Sequence, residues 1–530
     1  MPAPAGASER GRVVLVLSGG GARGAAHVGV LRWLERERIP IDSIVGTSMG
    51  SIIGGLYASG LTADELGQVI RGIDWVDAFD DEPARKHLTY RRKRDDDDFL
   101  VDIGLGFRDG EARMPRGIIQ AQKLNLYLRE LALPVATARN FDALPTPFRA
   151  VAADLGSGDT VILQRGDLAS AMRASMSAPG VFAPAEIDGR ILVDGGVAMN
   201  LPIEVARNWG ADVIIAVDVG SGPVPVEDLD SALAVTNQML DILIERETRE
   251  QRALLTPRDV LVRPQLGDIG STDFLLAEPA MEAGLVAAEA ARAALKQYAV
   301  SEAEYDAFVR RRLAERAVLA GGPVDAPPQR VPAFVVLETD ADVDPDLITA
   351  QMATAPGAPL SIAKLREDLA RIYGLGLFEQ VDYRWTESDE GEGIVVDARA
   401  RSWGPGYLAF GLAYEEGFEG SSNFSVSARA LRTALNRLGG EWRTNVTLGT
   451  DLRLQSEFYQ PLSVARRWFI APQIDAFQRN IRAFENEEAV ARYRLTTSEA
   501  SVAVGREISN VAELRFGVFR GDGDARVKVG

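Results

Sequence analysis

Ser48 stands in the run Gly46-Thr47-Ser48-Met49-Gly50, a G-x-S-x-G pentad. A serine hydroxyl is a weak nucleophile until a base takes its proton. Flanking glycines fit a sharp strand-to-helix turn, where side chains beside a strained serine would find no room. Chance pentads are common in a chain with 51 glycines. A short apolar strand before this one, at 44–45, and an apolar helix after it, at 50–58, favour a catalytic serine. The base is the difficulty. Only two histidines exist, His27 and His87. The α/β-hydrolases order their triad as serine, acid, histidine, and no histidine follows His87 to take the last place. His27, on the first turns of a helix, reads as a capping or packing residue, and His87, in a charged stretch, as a surface residue. A standard triad is disfavoured.

Two other runs carry chemistry. In Val193-Asp194-Gly195-Gly196, Asp194 ends an apolar strand and opens a Gly-Gly turn, which projects it at the carboxyl edge of a sheet, where α/β folds place their ligands. Without Ser48 it would read as an Asx-turn cap. A carboxylate of ordinary pKa, ~3.9, is a poor base at neutral pH, but burial raises it. The third run is the loop of Gly19, Gly20, Gly21, Ala22, Arg23 and Gly24, between a strand and a helix. Such a loop aims N–H groups and a helix N-terminus at negative charge. By itself it fits a dinucleotide, an oxyanion or a tight turn. The dinucleotide reading wants an acid about 20 residues on, ending the second strand; Asp42 precedes that strand instead.

These loops need a sheet to hold them. Apolar runs at 13–17, 44–45, 148–153, 160–164, 191–193, 213–217 and 260–263 read as strands. Helical segments between them, such as 28–37 and 50–58, argue for a mostly parallel sheet covered on both faces. Two closing helices are expected at 278–298 and 301–319, then a Gly/Pro-rich linker at 321–332. Over 332–401 the order becomes β-α-α-β-β. After 401 helices vanish, and seven segments of ~6–10 residues alternate apolar with polar, equally the signature of a membrane barrel or of a soluble β-domain. Seven is below the minimum of about 8 for a closed bacterial barrel, so the chain reads as holding only part of one.

The 530 residues are 46% hydrophobic and carry 58 Lys+Arg against 76 Asp+Glu, a net charge of −18. That balance sets nucleic-acid binding aside as the main activity. The chain has no cysteine, which removes thiolate nucleophiles, disulfides and Cys-ligated metals. No apolar run reaches the ~18 residues of a transmembrane helix, and residues 1–12 lack the apolar core of a signal peptide. The basic run 90–94 followed by the acidic run 95–98 reads as a solvated, self-neutralising loop, with a basic rim for lipid phosphates as the sharper reading. The Leu-rich stretch 124–133 reads as core before lid.

Taken together, G-G-G-x-R-G, G-T-S-M-G and D-G-G resemble the patatin-like phospholipase family. The resemblance implies a Ser–Asp dyad without histidine, with Ser48 as nucleophile and Asp194 as general base. It implies an oxyanion hole from the backbone amides of 19–24, fixed with help from Arg23, and a site walled by the loop 175–184. Many relatives have Asp-Gly-Ala where this chain has Asp-Gly-Gly. The expected activity is that of a phospholipase A type acyl-ester hydrolase in lipid catabolism, needing neither cofactor nor metal. Its partner would be phospholipid or a membrane surface and no nucleic acid, and a homodimer is allowed. The resemblance covers about 11–305, a three-layer α/β/α domain. A helix and linker at 306–331, a POTRA-like domain at 332–401 and a partial antiparallel β-barrel at 403–530 are similar to the outer-membrane, type V secretion patatins. That implies an outer-membrane or cell-surface location; the alternative is a translocator or structural protein with weak or no hydrolase activity.

Overall fold

The computed structural model describes residues 10–98, 105–222, 225–322, 330–417, 421–485 and 488–529. Two units emerge, one of Met1–Asp81, Arg116–Val331 and Arg384–Gly393, the other of Glu82–Pro115, Pro332–Tyr383 and Ile394–Gly530. Each unit draws on three separate stretches of the chain.

The first unit is built on an eight-stranded sheet. Its path runs Val260–Val262, Val213–Val217, Val13–Leu17, Ser43–Thr47, Phe148–Asp154, Arg190–Asp194 and Ala185–Ile187, with Thr160–Leu163 paired to Phe148–Asp154 off the path. The first five strands are parallel and the last pairings antiparallel. Alternate residues of the central strand enter two different cores. Val13, Leu15 and Leu17 join the helices Ala26–Arg36 and Met49–Ala58, while Val14 and Val16 pack with Leu201, Ile203 and Ala206. Period-two burial on both faces makes the arrangement three layers, α/β/α, and explains why the strands read as unbroken apolar runs. The Leu-rich stretch is the helix Gln122–Ala132, whose Leu124 and Leu128 are core. The last long helix, Glu302–Ala320, starts on a Ser301–Glu304 capping box; most of the linker after it lies outside the described residues.

The second unit has a three-stranded sheet, Val335–Thr339, Gly391–Ala400 and Phe378–Ser388, with helices Pro345–Thr349 and Ile362–Tyr373. It also has a nine-stranded antiparallel sheet. Seven of those strands run from Gly406–Gly417 to Ala512–Val529, and the hairpin Leu105–Arg108 and Glu111–Arg113 extends the Gly406–Gly417 edge. The last three strands, Trp468–Glu485, Glu488–Ile508 and Ala512–Val529, are far longer than expected. Pairing is between backbones, so the ladders continue through polar stretches where the apolar signal has stopped. Register sets Leu412 beside Val426 and Val426 beside Leu448, all exposed, whereas Arg443 faces Glu457 on the buried side.

The charged run at 90–98 corrects two expectations. It is a helix, Tyr90–Asp98, and Arg91 is 1% exposed. Its guanidinium lies 3.0 Å from Glu441 and 2.8 Å from Glu457, over the ring of Tyr459. Arg91 is therefore neither solvated nor free for lipid phosphates. Its counter-charges lie about 350 residues away, beyond any local window.

Candidate active site

The strand Ser43–Thr47 ends at Ser48, and the helix Met49–Ala58 begins directly after it. Ser48 takes φ 53° and ψ −124°, a left-handed backbone that costs a non-glycine residue energy. The turn is this tight because the helix start presses on the neighbouring strand. A Cβ on Gly50 would lie 2.4 Å from Leu17 O and 2.5 Å from Ser18 O, and one on Gly46 would lie 2.3 Å from Gly50 O. Ser48 is left half-exposed at the carboxyl edge of the sheet. Its Oγ donates to Asp194 Oδ2 at 2.6 Å, its one hydrogen-bond partner among the described residues.

Asp194 is the last residue of the strand Arg190–Asp194. Its other oxygen, Oδ1, accepts Gly196 N–H at 2.7 Å. The Asp194 and Gly195 N–H groups donate to Ser177 O and Ser175 O at 2.9 and 3.2 Å. Gly195 passes so close to the next strand that a Cβ would meet Val151 O at 2.2 Å. Burial pushes the Asp194 carboxyl up to about 6, against the hydrogen bonds from Ser48 and Gly196, which pull it down.

The glycine loop lies beside the serine: a Cβ on Gly19 would stand 3.0 Å from Ser48 Cβ. Residues Gly21–Ala25 form a short 3-10 turn. Several amides of the loop 19–24 are already engaged by the protein. Gly19 N–H donates to Asn200 O, Ala22 N–H to Ser271 O and Arg23 N–H to Gly20 O, while Gly20 and Gly21 N–H find no protein acceptor among the described residues. Arg23 pins the loop from behind, donating to Val219 O at 2.8 Å and Ile269 O at 2.5 Å. His27 is wholly buried, with Nε2 2.9 Å from Ser18 O, and burial pushes it down to about 4. It is a neutral packing residue at physiological pH. His87 is half-buried and belongs to the second unit. No group of acidic and histidine side chains that could hold a metal is found among the described residues.

Three residues that sequence reasoning did not single out complete the frame. Ser175, placed before only as part of a wall, accepts Ser48 N–H on its hydroxyl at 2.9 Å. Asn200 is buried and takes Gly19 N–H on its carbonyl. Its own N–H donates to Glu247 at 3.0 Å, and burial raises the Glu247 carboxyl to about 7. Asn200 and Glu247 have no motif around them, so no sequence signal marked either.

The candidate site of this α/β domain is thus a serine on a left-handed strand–helix turn, hydrogen-bonded to an aspartate that ends another strand of the same mostly parallel sheet. Residues 15–207 match the patatin-like phospholipase family profile, and this part of the chain is a patatin-like phospholipase domain. An uncharacterized NTE family protein of Mycobacterium tuberculosis is 38% identical over 235 residues, covering 43% of this chain and 56% of that protein. Patatin-like phospholipase domain-containing protein 6 of Homo sapiens is 32% identical over 211 residues, 39% of this chain and 13% of that protein. The chain thus spans little more than half of the mycobacterial relative and a small part of the human one. Among solved structures, VipD from Legionella pneumophila is similar at a TM-score of 0.31 and 14% identity, covering 54% of this chain and 67% of that one.

Proposed function

We propose that the chain is a serine acyl-ester hydrolase of the phospholipase A type, with Ser48 as nucleophile and Asp194 as general base. The observation that carries this reading is the 2.6 Å hydrogen bond from Ser48 Oγ to Asp194 Oδ2 on a left-handed turn. The patatin-like domain and the relatives that share its description support phospholipid as the substrate. Ser48 Oγ attacks the ester carbonyl carbon as its proton passes to Asp194. The unpartnered N–H groups of Gly20 and Gly21 are the donors for the oxyanion, where one donor is worth about 3–4 kcal/mol. Collapse of the tetrahedral intermediate breaks the ester C–O bond, and Asp194 returns the proton to the leaving alcohol. Water then loses a proton to Asp194 as it attacks the acyl-enzyme. The second collapse frees the fatty acid and restores the Ser48 hydroxyl. A carboxyl held at about 6 is ionised at neutral pH yet roughly a hundredfold more basic than an ordinary aspartate.

For the second unit we propose an outer-membrane location. Support comes from an antiparallel sheet with Leu412, Val426, Leu448, Val504 and Phe516 exposed on one face and charged residues buried on the other, the inside-out alternation of membrane barrels. No helix among the described residues is long and apolar enough to cross a membrane.

Fatty-acid release from phospholipid vesicles by wild type, Ser48→Ala and Asp194→Asn tests the chemistry, alongside fluorophosphonate labelling of Ser48. Loss of turnover in both variants supports the dyad, and undiminished turnover in either refutes it. A folded wild type that neither hydrolyses nor labels favours a translocator or structural role instead.

A further inference from the structure

Ser175 closes the helix Leu168–Ser175 and is completely buried. The proton transfers above never use its hydroxyl. That hydroxyl nonetheless donates to Val151 O at 2.5 Å and accepts Ser48 N–H at 2.9 Å. Its carbonyl accepts Gly195 N–H, and the carbonyl of Ser177 accepts Asp194 N–H. Arg173 braces the same segment, donating to Ser177 Oγ at 2.5 Å and Ala183 O at 2.9 Å. One short stretch therefore grips the backbones of both dyad residues.

The contact at Ser48 N–H matters because of the backbone there. A residue at φ 53° follows neither the strand ladder before it nor the helix ladder after it, so its half-buried N–H has no regular partner. A hydroxyl has one proton and two lone pairs. With the proton committed to Val151 O, the lone pairs are free for Ser48 N–H.

We propose that Ser175 is a positioning residue of this site, whose hydroxyl, pinned to Val151 O, holds the Ser48 elbow in register with Asp194. The proposal rests on the reading of Ser48 as nucleophile and Asp194 as base. Removing the hydroxyl frees the elbow, while the Asp194 turn keeps its two backbone acceptors. The Oγ–Oδ2 geometry then loosens on one side only, and a misplacement of about 1 Å can cost on the order of a hundredfold in rate.

The test is Ser175→Ala in the full chain, with vesicle kinetics and fluorophosphonate labelling. The expected result is a kcat lower by roughly 10- to 100-fold with KM unchanged within about twofold. Ser48 labelling slows by the same factor, yet its end point stays at one label per folded chain. Ser175→Cys puts a somewhat larger γ atom, only a weak donor and acceptor, in the same place, so its rate falls between wild type and Ser175→Ala; it decides the matter if Ser175→Ala does not fold. A merely structural role would lower the labelled fraction and leave the rate per labelled site intact, and that result overturns the proposal. So does a kcat within about twofold of wild type. Active wild type, inactive Ser48→Ala and full-rate Ser175 variants would remove the positioning role alone. A wild type with no turnover and no labelling would overturn both readings.

Discussion

Asp194→Asn should make the protein less active and more stable at once. The amide keeps the size of the carboxyl and an oxygen for Ser48 Oγ or Gly196 N–H, but it cannot accept a proton. A general base contributes about 10²–10⁴-fold, which at ~1.36 kcal/mol per decade is roughly 3–5 kcal/mol of barrier. Stability moves the other way. Burial raises the carboxyl from 3.8 to about 6, so the folded protein disfavours the ionised form by about 3 kcal/mol at most. Below pH 3.8 the group is protonated whether folded or unfolded, and the penalty is absent. It grows as pH rises from about 4 and is complete above about 6. Asparagine never carries it. Chemical unfolding of wild type and variant at pH 4 and pH 7.5, followed with a probe in the first unit, should show near-equal stability in acid. At pH 7.5 the variant should be more stable by about 1–3 kcal/mol. Equal stabilities at pH 7.5, or activity within tenfold of wild type, would refute the account of Asp194 as a half-buried, charged base.

The pH–rate profile of kcat/KM should show an acidic limb near 6, with activity falling tenfold per pH unit below it as Asp194 is protonated; a limb near 4 would mean an unburied base. Gly50→Ala would force a methyl against Leu17 O and Ser18 O, so soluble protein should lose the elbow and at least about 3 kcal/mol, read by circular dichroism melting and labelling of Ser48. Arg91→Ala would open a buried site beside Glu441 and Glu457, which keep Arg92 and Arg515 as partners, costing the second unit about 1–3 kcal/mol without changing the chemistry at Ser48. Limited proteolysis compared with hydrolysis rates checks both halves of that statement.

Much of the site was legible along the chain because its signals are local. The pentad around Ser48, the Gly-Gly turn after Asp194 and the glycine loop each sit between a strand and a helix, and such switches show within about ten residues. The absence of a histidine after His87 points away from a triad in the sequence alone. The strands of the first sheet were legible for the same reason, since burial on both faces writes unbroken apolar runs. What failed was the segment at 90–98. Its charges look solvated in isolation, and only Glu441 and Glu457 turn Arg91 into a buried residue. The hairpin Leu105–Arg113 is likewise a polar stretch whose strand character depends on pairing with Gly406–Gly417.

Residue types and their order single out the candidate groups: the Ser48 hydroxyl, the Asp194 carboxyl and no histidine after His87. Tertiary structure alone decided how basic the Asp194 carboxyl is, which two amides of the loop have no protein acceptor among the described residues, and that Ser175 grips the elbow. The reason is distance in the chain. Ser48 meets Ser175 across 127 positions and Asp194 across 146, and Arg91 meets Glu441 across 350. Hydrogen bonds and the exclusion of water at such separations come into being only when the layers close.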